Sequence, residues 1–105
     1  MINTVDFINI DSYLTGNSEN AYVLQVSTSS IPGMNIQEND LLVVDRDSSP
    51  KIGDIVVAVN HDEKTLRRFE SGLEYVRTSD LEKTPSGKME IWGVVTFLIR
   101  RLKSD

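Results

Sequence analysis

The sequence predicts an all-β domain of short, mostly antiparallel strands. Three features carry that prediction: short segments of branched and aromatic residues, turn formers between them, and two segments that are apolar on both alternating faces. At 105 residues with 39% of them hydrophobic, the chain suits one compact domain able to bury a core without disulfide staples.

In chain order, strands are expected over Tyr22–Val26, Leu41–Val44, Ile55–Val59, Thr65–Phe69, Leu73–Val76 and Ile91–Ile99. Asn39-Asp40, Lys51-Ile52-Gly53-Asp54 after Pro50, Asn60-His61-Asp62-Glu63, Ser71-Gly72 and Pro85-Ser86-Gly87 separate them. These residues suit tight reversals and positive φ, so the connections are short, as in meanders and barrels. Leu41-Leu42-Val43-Val44 and Ile55-Val56-Val57-Ala58-Val59 have no polar face and are expected in the interior. Residues 1–20 are expected to form an arm and loop, with Val5, Phe7, Ile8 and Ile10 leading into a helical turn capped by Asp11 or Ser12. Residues 21–105 form the domain proper.

Composition excludes several classes. There is no cysteine and only one histidine, so neither a disulfide nor a thiolate or His-rich metal site is expected, and no cofactor is implied. No apolar run approaches the roughly 20 residues that span a bilayer, and the N-terminus lacks signal-peptide order, so no membrane role and a cytoplasmic location are expected. The net charge of -5 argues against direct nucleic-acid binding, which needs clustered cations. Arg100, Arg101 and Lys103 are a local exception, read as a solvated end.

The stretch Val26-Ser27-Thr28-Ser29-Ser30-Ile31, followed by Ile36-Gln37-Glu38-Asn39-Asp40-Leu41-Leu42-Val43-Val44-Asp45, resembles the nucleophile segment of the LexA/UmuD serine-lysine peptidase family. Pro50-Lys51-Ile52-Gly53-Asp54-Ile55-Val56-Val57-Ala58 is similar to its second signature, a Gly-Asp turn opening a buried strand. Thr65-Leu66-Arg67-Arg68-Phe69 resembles the strand carrying the catalytic lysine, and Ile91-Trp92-Gly93-Val94-Val95 the closing Gly-Val-Val strand. The resemblance covers Tyr22 to Ile99 and implies a LexA/signal-peptidase-like β-ribbon fold, with Ser30 at the nucleophile position and Arg67 at the position of the general-base lysine. Departures stand beside the matches. Thr28 replaces a glycine before the nucleophile, Ile31 a methionine after it, and Arg77-Thr78-Ser79-Asp80 lies where many relatives have Pro-x-Asn. No Ala-Gly or Cys-Gly bond, the kind relatives cleave in themselves, occurs in the chain. The chain is therefore expected to correspond to the processed form of a UmuD-like protein.

Arg67 decides the expected chemistry. A serine hydroxyl attacks a carbonyl only when a base takes its proton, and in this family a neutral, buried lysine does so. A guanidinium has a pKa above ~12 and no acceptor atom, so Arg67 is expected to leave Ser30 unactivated. Lys64, at an odd offset from Arg67, falls on the opposite face of the strand, and His61 lies in the expected hairpin turn, so neither is a ready substitute. Ser27, Ser29 and Ser30 also read as an ordinary polar loop after a strand.

Three functions follow from the resemblance. The first is a catalytically silenced homodimer of the UmuD type, binding a Y-family DNA polymerase and the RecA filament in the SOS response. The second is an active or latent serine autopeptidase. The third is the dimerisation domain of a LexA or phage-type repressor. Dimerisation is expected through Trp92–Ile99, read as a long apolar edge strand.

Overall fold

The computed structural model describes residues 9–27, 33–60, 63–70, 75–77 and 89–103. One short helix, α1 (Ile10–Thr15), precedes six strands: β1 (Ala21–Gln25), β2 (Leu41–Asp45), β3 (Ile55–Asn60), β4 (Glu63–Arg68), β5 (Tyr75–Arg77) and β6 (Met89–Ile99). They form one sheet in the order β1-β2-β6-β3-β4, all antiparallel, with β5 added to β6 in parallel. The all-β prediction holds, with the strands close to where alternation and turn residues put them. Leu73, the Pro85-Ser86-Gly87 turn and the arm residues Val5, Phe7 and Ile8 lie outside the described residues.

Helix α1 is capped by Asn9, whose Oδ1 accepts from the Ser12 N–H at 3.2 Å. The expected caps, Asp11 and Ser12, instead lie inside the first turn, because the chain turns helical one residue earlier. Gly16, at φ 61°, ends the helix with its N–H on the Ser12 carbonyl.

The apolar runs of β2 and β3 are explained by their position. Each has a strand on both sides and packing on both faces. Leu42, Val44 and Val57 join Val26 and Ile36 in one buried cluster, supported by Leu24, Met34, Ile55, Leu66, Trp92 and Val95. Val56 joins Phe69, Ile91 and Val94 in a second cluster. Val43, on the reverse face of β2, pairs with Phe97, and Phe97 meets Tyr13 of α1 with ring centroids 5.5 Å apart.

Two expectations are corrected here. The strands do not follow one another as a meander, and Trp92–Ile99 is not a long edge. β6 is the centre of the sheet, pairing with β2 along Val94–Ile99 and with β3 along Glu90–Val94. Among the described residues, only the side of Thr96–Ile99 facing away from β2 has no strand beside it. β6 keeps both neighbours by means of two bulges. Thr96 is extra against β2, and its Oγ1 donates to the Val43 carbonyl at 3.2 Å; Trp92 is extra against β3. Between the bulges, Gly93 passes so close to β2 that a Cβ there would lie 2.5 Å from Val44 Cγ1 and 3.3 Å from the Asp45 carbonyl oxygen.

Two turns use the same device. In Lys51–Asp54, Asp54 accepts the Lys51 N–H on its carboxylate at 2.8 Å and returns its own N–H to the Lys51 carbonyl at 3.0 Å, with Gly53 at φ 96°. In Gln37–Asp40, Asp40 does the same with Gln37 at 2.8 and 3.1 Å, and Asn39 takes the left-handed place at φ 73°. Asparagine tolerates this region better than other non-glycine residues, so the two signals read in the sequence are one motif.

A methyl group at Gly93 has nowhere to go without moving β2. Gly93→Ala should lower the unfolding free energy by about 1–3 kcal/mol, the usual cost of overpacking, measured as a reduced urea midpoint at unchanged slope.

Candidate functional site

β1 and β4 stand at opposite ends of the strand order, yet both line one cleft of about 680 Å³. The twisted sheet therefore curls until its two edges face each other. Leu24, Gln25, Val26 and Ser27 form one wall, Glu63, Lys64, Thr65 and Leu66 the other, and Leu42 and Val57 the floor. The interior is apolar and the mouth carries the charges, the usual build of a site that binds a chain segment.

Ser30 and its neighbours Thr28, Ser29 and Ile31 lie outside the described residues, as does His61. The chain on either side of Ser30 is placed. Ser27 lines the cleft, and Gly33 presents its carbonyl to the Arg68 guanidinium at 3.4 Å. Ile36, buried to 1% exposure, anchors the segment that follows.

Arg67 is exposed and sits opposite Val56, a member of the second cluster, on the face that also carries Phe69. Leu66 and Lys64 alternate with it. Leu66 sits opposite Val57 in the first cluster, and the Lys64 ammonium lies 5.3 Å from the centroid of the Trp92 ring. Lys64 and Arg67 thus occupy opposite faces, as the odd offset requires, and the cleft takes Lys64 rather than Arg67 into its wall. Trp92 reaches this side through its bulge. Its ring meets Tyr22 with centroids 5.4 Å apart, and the Arg46 guanidinium lies 4.6 Å from the ring centroid while its Nε donates to the Trp92 carbonyl at 2.9 Å. Cations stacked on indole keep their charge, since the ring quadrupole favours it.

The turn that follows the Ser30 segment is held by an ion pair. Arg100 donates from Nε to Asp40 Oδ1 at 2.8 Å and from Nη2 to Oδ2 at 2.7 Å, and Nη2 also donates to the Asn35 carbonyl at 2.8 Å. Asp40 is 2% exposed, and its backbone joins the turn to Val26 at the cleft wall: the Val26 N–H donates to the Asp40 carbonyl at 2.9 Å. The hydrogen bonds from Arg100 hold the Asp40 carboxyl at about 2, against desolvation, which works to raise it; the Gln37 N–H and the Arg100 charge add to the lowering. The reading of Arg100 as part of a solvated end is therefore corrected. It reaches across 60 residues of sequence to a buried acid, a distance over which charge patterning carries no signal. The Trp92, Tyr22 and Arg46 group was equally unmarked, because only the bulge turns Trp92 toward it. Among the described residues, no three His, Cys, Asp or Glu side chains converge on a possible metal position.

Asp40 has a lower pKa folded than its ordinary value of 3.8, so its contribution is complete above that value and is lost as pH falls toward about 2. Arg100→Gln removes the cause of the lowering. It should move the acid-unfolding midpoint, followed by Trp92 fluorescence, to higher pH and narrow the gap in stability between variant and parent at the acid end.

Comparison with known proteins gives one family model, Peptidase S24-like, matching residues 2–96. The LexA repressor of Caldicellulosiruptor saccharolyticus is 34% identical over 104 residues, covering 95% of this chain and 51% of the repressor. Protein ImpA of Salmonella typhimurium is 34% identical over 102 residues, 91% of this chain and 70% of ImpA. Protein MucA of Escherichia coli is 34% identical over 101 residues, 85% and 66% respectively. The chain thus spans about half the length of that LexA repressor. No helix among the described residues is long and apolar enough to cross a membrane.

Proposed function

Because the chain belongs to the Peptidase S24-like family, we propose that it is a UmuD-like protein of SOS mutagenesis: a cytoplasmic, peptidase-fold homodimer with a catalytically silent cleft, which binds a Y-family translesion polymerase and the RecA filament. The observation that carries this reading is Arg67, standing in Thr65-Leu66-Arg67-Arg68-Phe69 where the family's base is a lysine. A guanidinium has no lone pair to accept the Ser30 proton. Losing general-base assistance costs roughly 100- to 10,000-fold in rate. The similarity to ImpA and MucA over most of their length supports the mutagenesis side of the reading, whereas the LexA repressor is matched over only 51% of its length. The repressor-domain alternative takes its support from that second similarity.

One observation favours an active enzyme instead. Lys64 lines the cleft, and an amine that lost its proton there would be a base. Its placement over the Trp92 ring at 5.3 Å works against this, since the ring stabilises the ammonium.

These readings separate in one experiment. The natural chain, Arg67→Lys, Lys64→Gln and Arg67→Lys with Ser30→Ala are incubated at mildly alkaline pH with a RecA filament and a LexA-type cleavage-site polypeptide, and products are followed by mass spectrometry. Only Arg67→Lys should cleave, and Ser30→Ala should abolish that cleavage. Cleavage by the natural chain that Lys64→Gln removes would replace the silent reading with the enzymatic one.

The dimer is proposed through the open side of Thr96–Ile99, where Leu98 and Ile99 are 39% and 38% exposed. Ile99→Asp should shift sedimentation from dimer to monomer with the β-type circular dichroism unchanged.

A further inference from the structure

β4 is the last strand of the sheet order and, among the described residues, pairs only with β3, so one edge of its backbone faces the cleft side unpaired. Such an edge accepts an added strand through main-chain hydrogen bonds, and the side chains beside it set which strand. On the cleft face of β4 the alternate residues are Lys64, Leu66 and Arg68, a cation, an aliphatic and a cation. At roughly 3.4 Å per residue the two cations stand about 13–14 Å apart along the strand. Leu66 looks onto the apolar interior formed with Leu24, Leu42 and Val57.

The partners described for the two cations are uncharged. Lys64 lies over the Trp92 indole, and Arg68 donates to the Gly53 carbonyl at 2.8 Å and to the Gly33 carbonyl at 3.4 Å. These contacts fix where the charges stand without neutralising them. Glu63, which also lines the cleft, belongs by alternation to the other face, with Thr65 and Arg67.

We infer that the β4 edge is a docking strand for an extended partner segment in which two acidic side chains, four residues apart, flank an apolar one, with Lys64 and Arg68 reading the acids and Leu66 the apolar residue. A segment paired to β4 places its residues i, i+2 and i+4 beside these three on the same face, the geometry in which cross-strand pairs interact. This assignment rests on the reading of the cleft as a binding site and adds the chemistry of what binds.

The test uses the full chain and fluorescein-labelled, end-blocked heptapeptides followed by anisotropy. One has aspartate at its second and sixth positions, leucine at the fourth and threonine elsewhere; its control has asparagine for both aspartates. Trp92 is the only tryptophan of the chain, so its emission reports whether binding reaches the Lys64 side. The aspartate peptide should bind about tenfold more tightly than its control at low salt. Lys64→Gln and Arg68→Gln should each reduce that preference by about threefold, and the preference should shrink as salt is raised. Equal affinity for the two peptides, no measurable binding of the aspartate peptide, or an unchanged preference in both variants would overturn the inference. Cleavage of a LexA-type polypeptide by the natural chain would overturn the silent-cleft reading and leave the acid preference standing, so the two failures are distinguishable.

Discussion

Asp40 and Arg100 form the contact on which the cleft region depends. Asp40 closes the Gln37–Asp40 turn, receives the end of β1 through its carbonyl, and starts β2. Arg100, at the end of β6, binds both oxygens of the acid and the Asn35 carbonyl. Four pieces of chain that are distant in sequence therefore meet at one carboxylate. A buried acid is tolerable only when every lone pair finds a donor, and here the Gln37 amide and the guanidinium supply them. The cleft wall at Val26 and Ser27 inherits its position from this arrangement, and so does the chain that resumes at Gly33.

The second constraint is the path of β6. A strand paired on both sides over eleven residues would stay near-straight if its register were unbroken. The extra residues Trp92 and Thr96 break it once against each neighbour, which raises the local twist. Gly93 lets β2 come close between them. The outcome is a sheet curled enough to bring β1 and β4 to one cleft, and an indole turned toward Lys64 and Arg46.

Much of the fold was legible in the sequence. Leu41–Val44 and Ile55–Val59 announced interior strands because burial on both faces leaves no polar alternation, and Asn39-Asp40 and Gly53-Asp54 announced turns because their backbone conformations admit few residue types. The central place of β6 was not legible, since strand order is decided by contacts far apart in sequence. The cap at Asn9 was missed by two residues, the ordinary uncertainty of a helix end. In the candidate site, Ser30 and Arg67 were read from motif spacing, which assigns positions without orientations. The face on which Lys64 stands followed from strand alternation; that this face is the one lining the cleft required the curled sheet.

The place of β6 in chain order has a consequence for biosynthesis. β1 with β2, and β3 with β4, are neighbours in sequence and can pair as soon as they leave the ribosome, but the strand that joins the two pairs is made last of the six. Until then β2 and β3, the most apolar strands, each expose an unpaired edge. Such edges recruit other chains. The nascent protein therefore relies on a short interval between the synthesis of β3 and that of β6, or on a chaperone that covers β2 and β3 meanwhile.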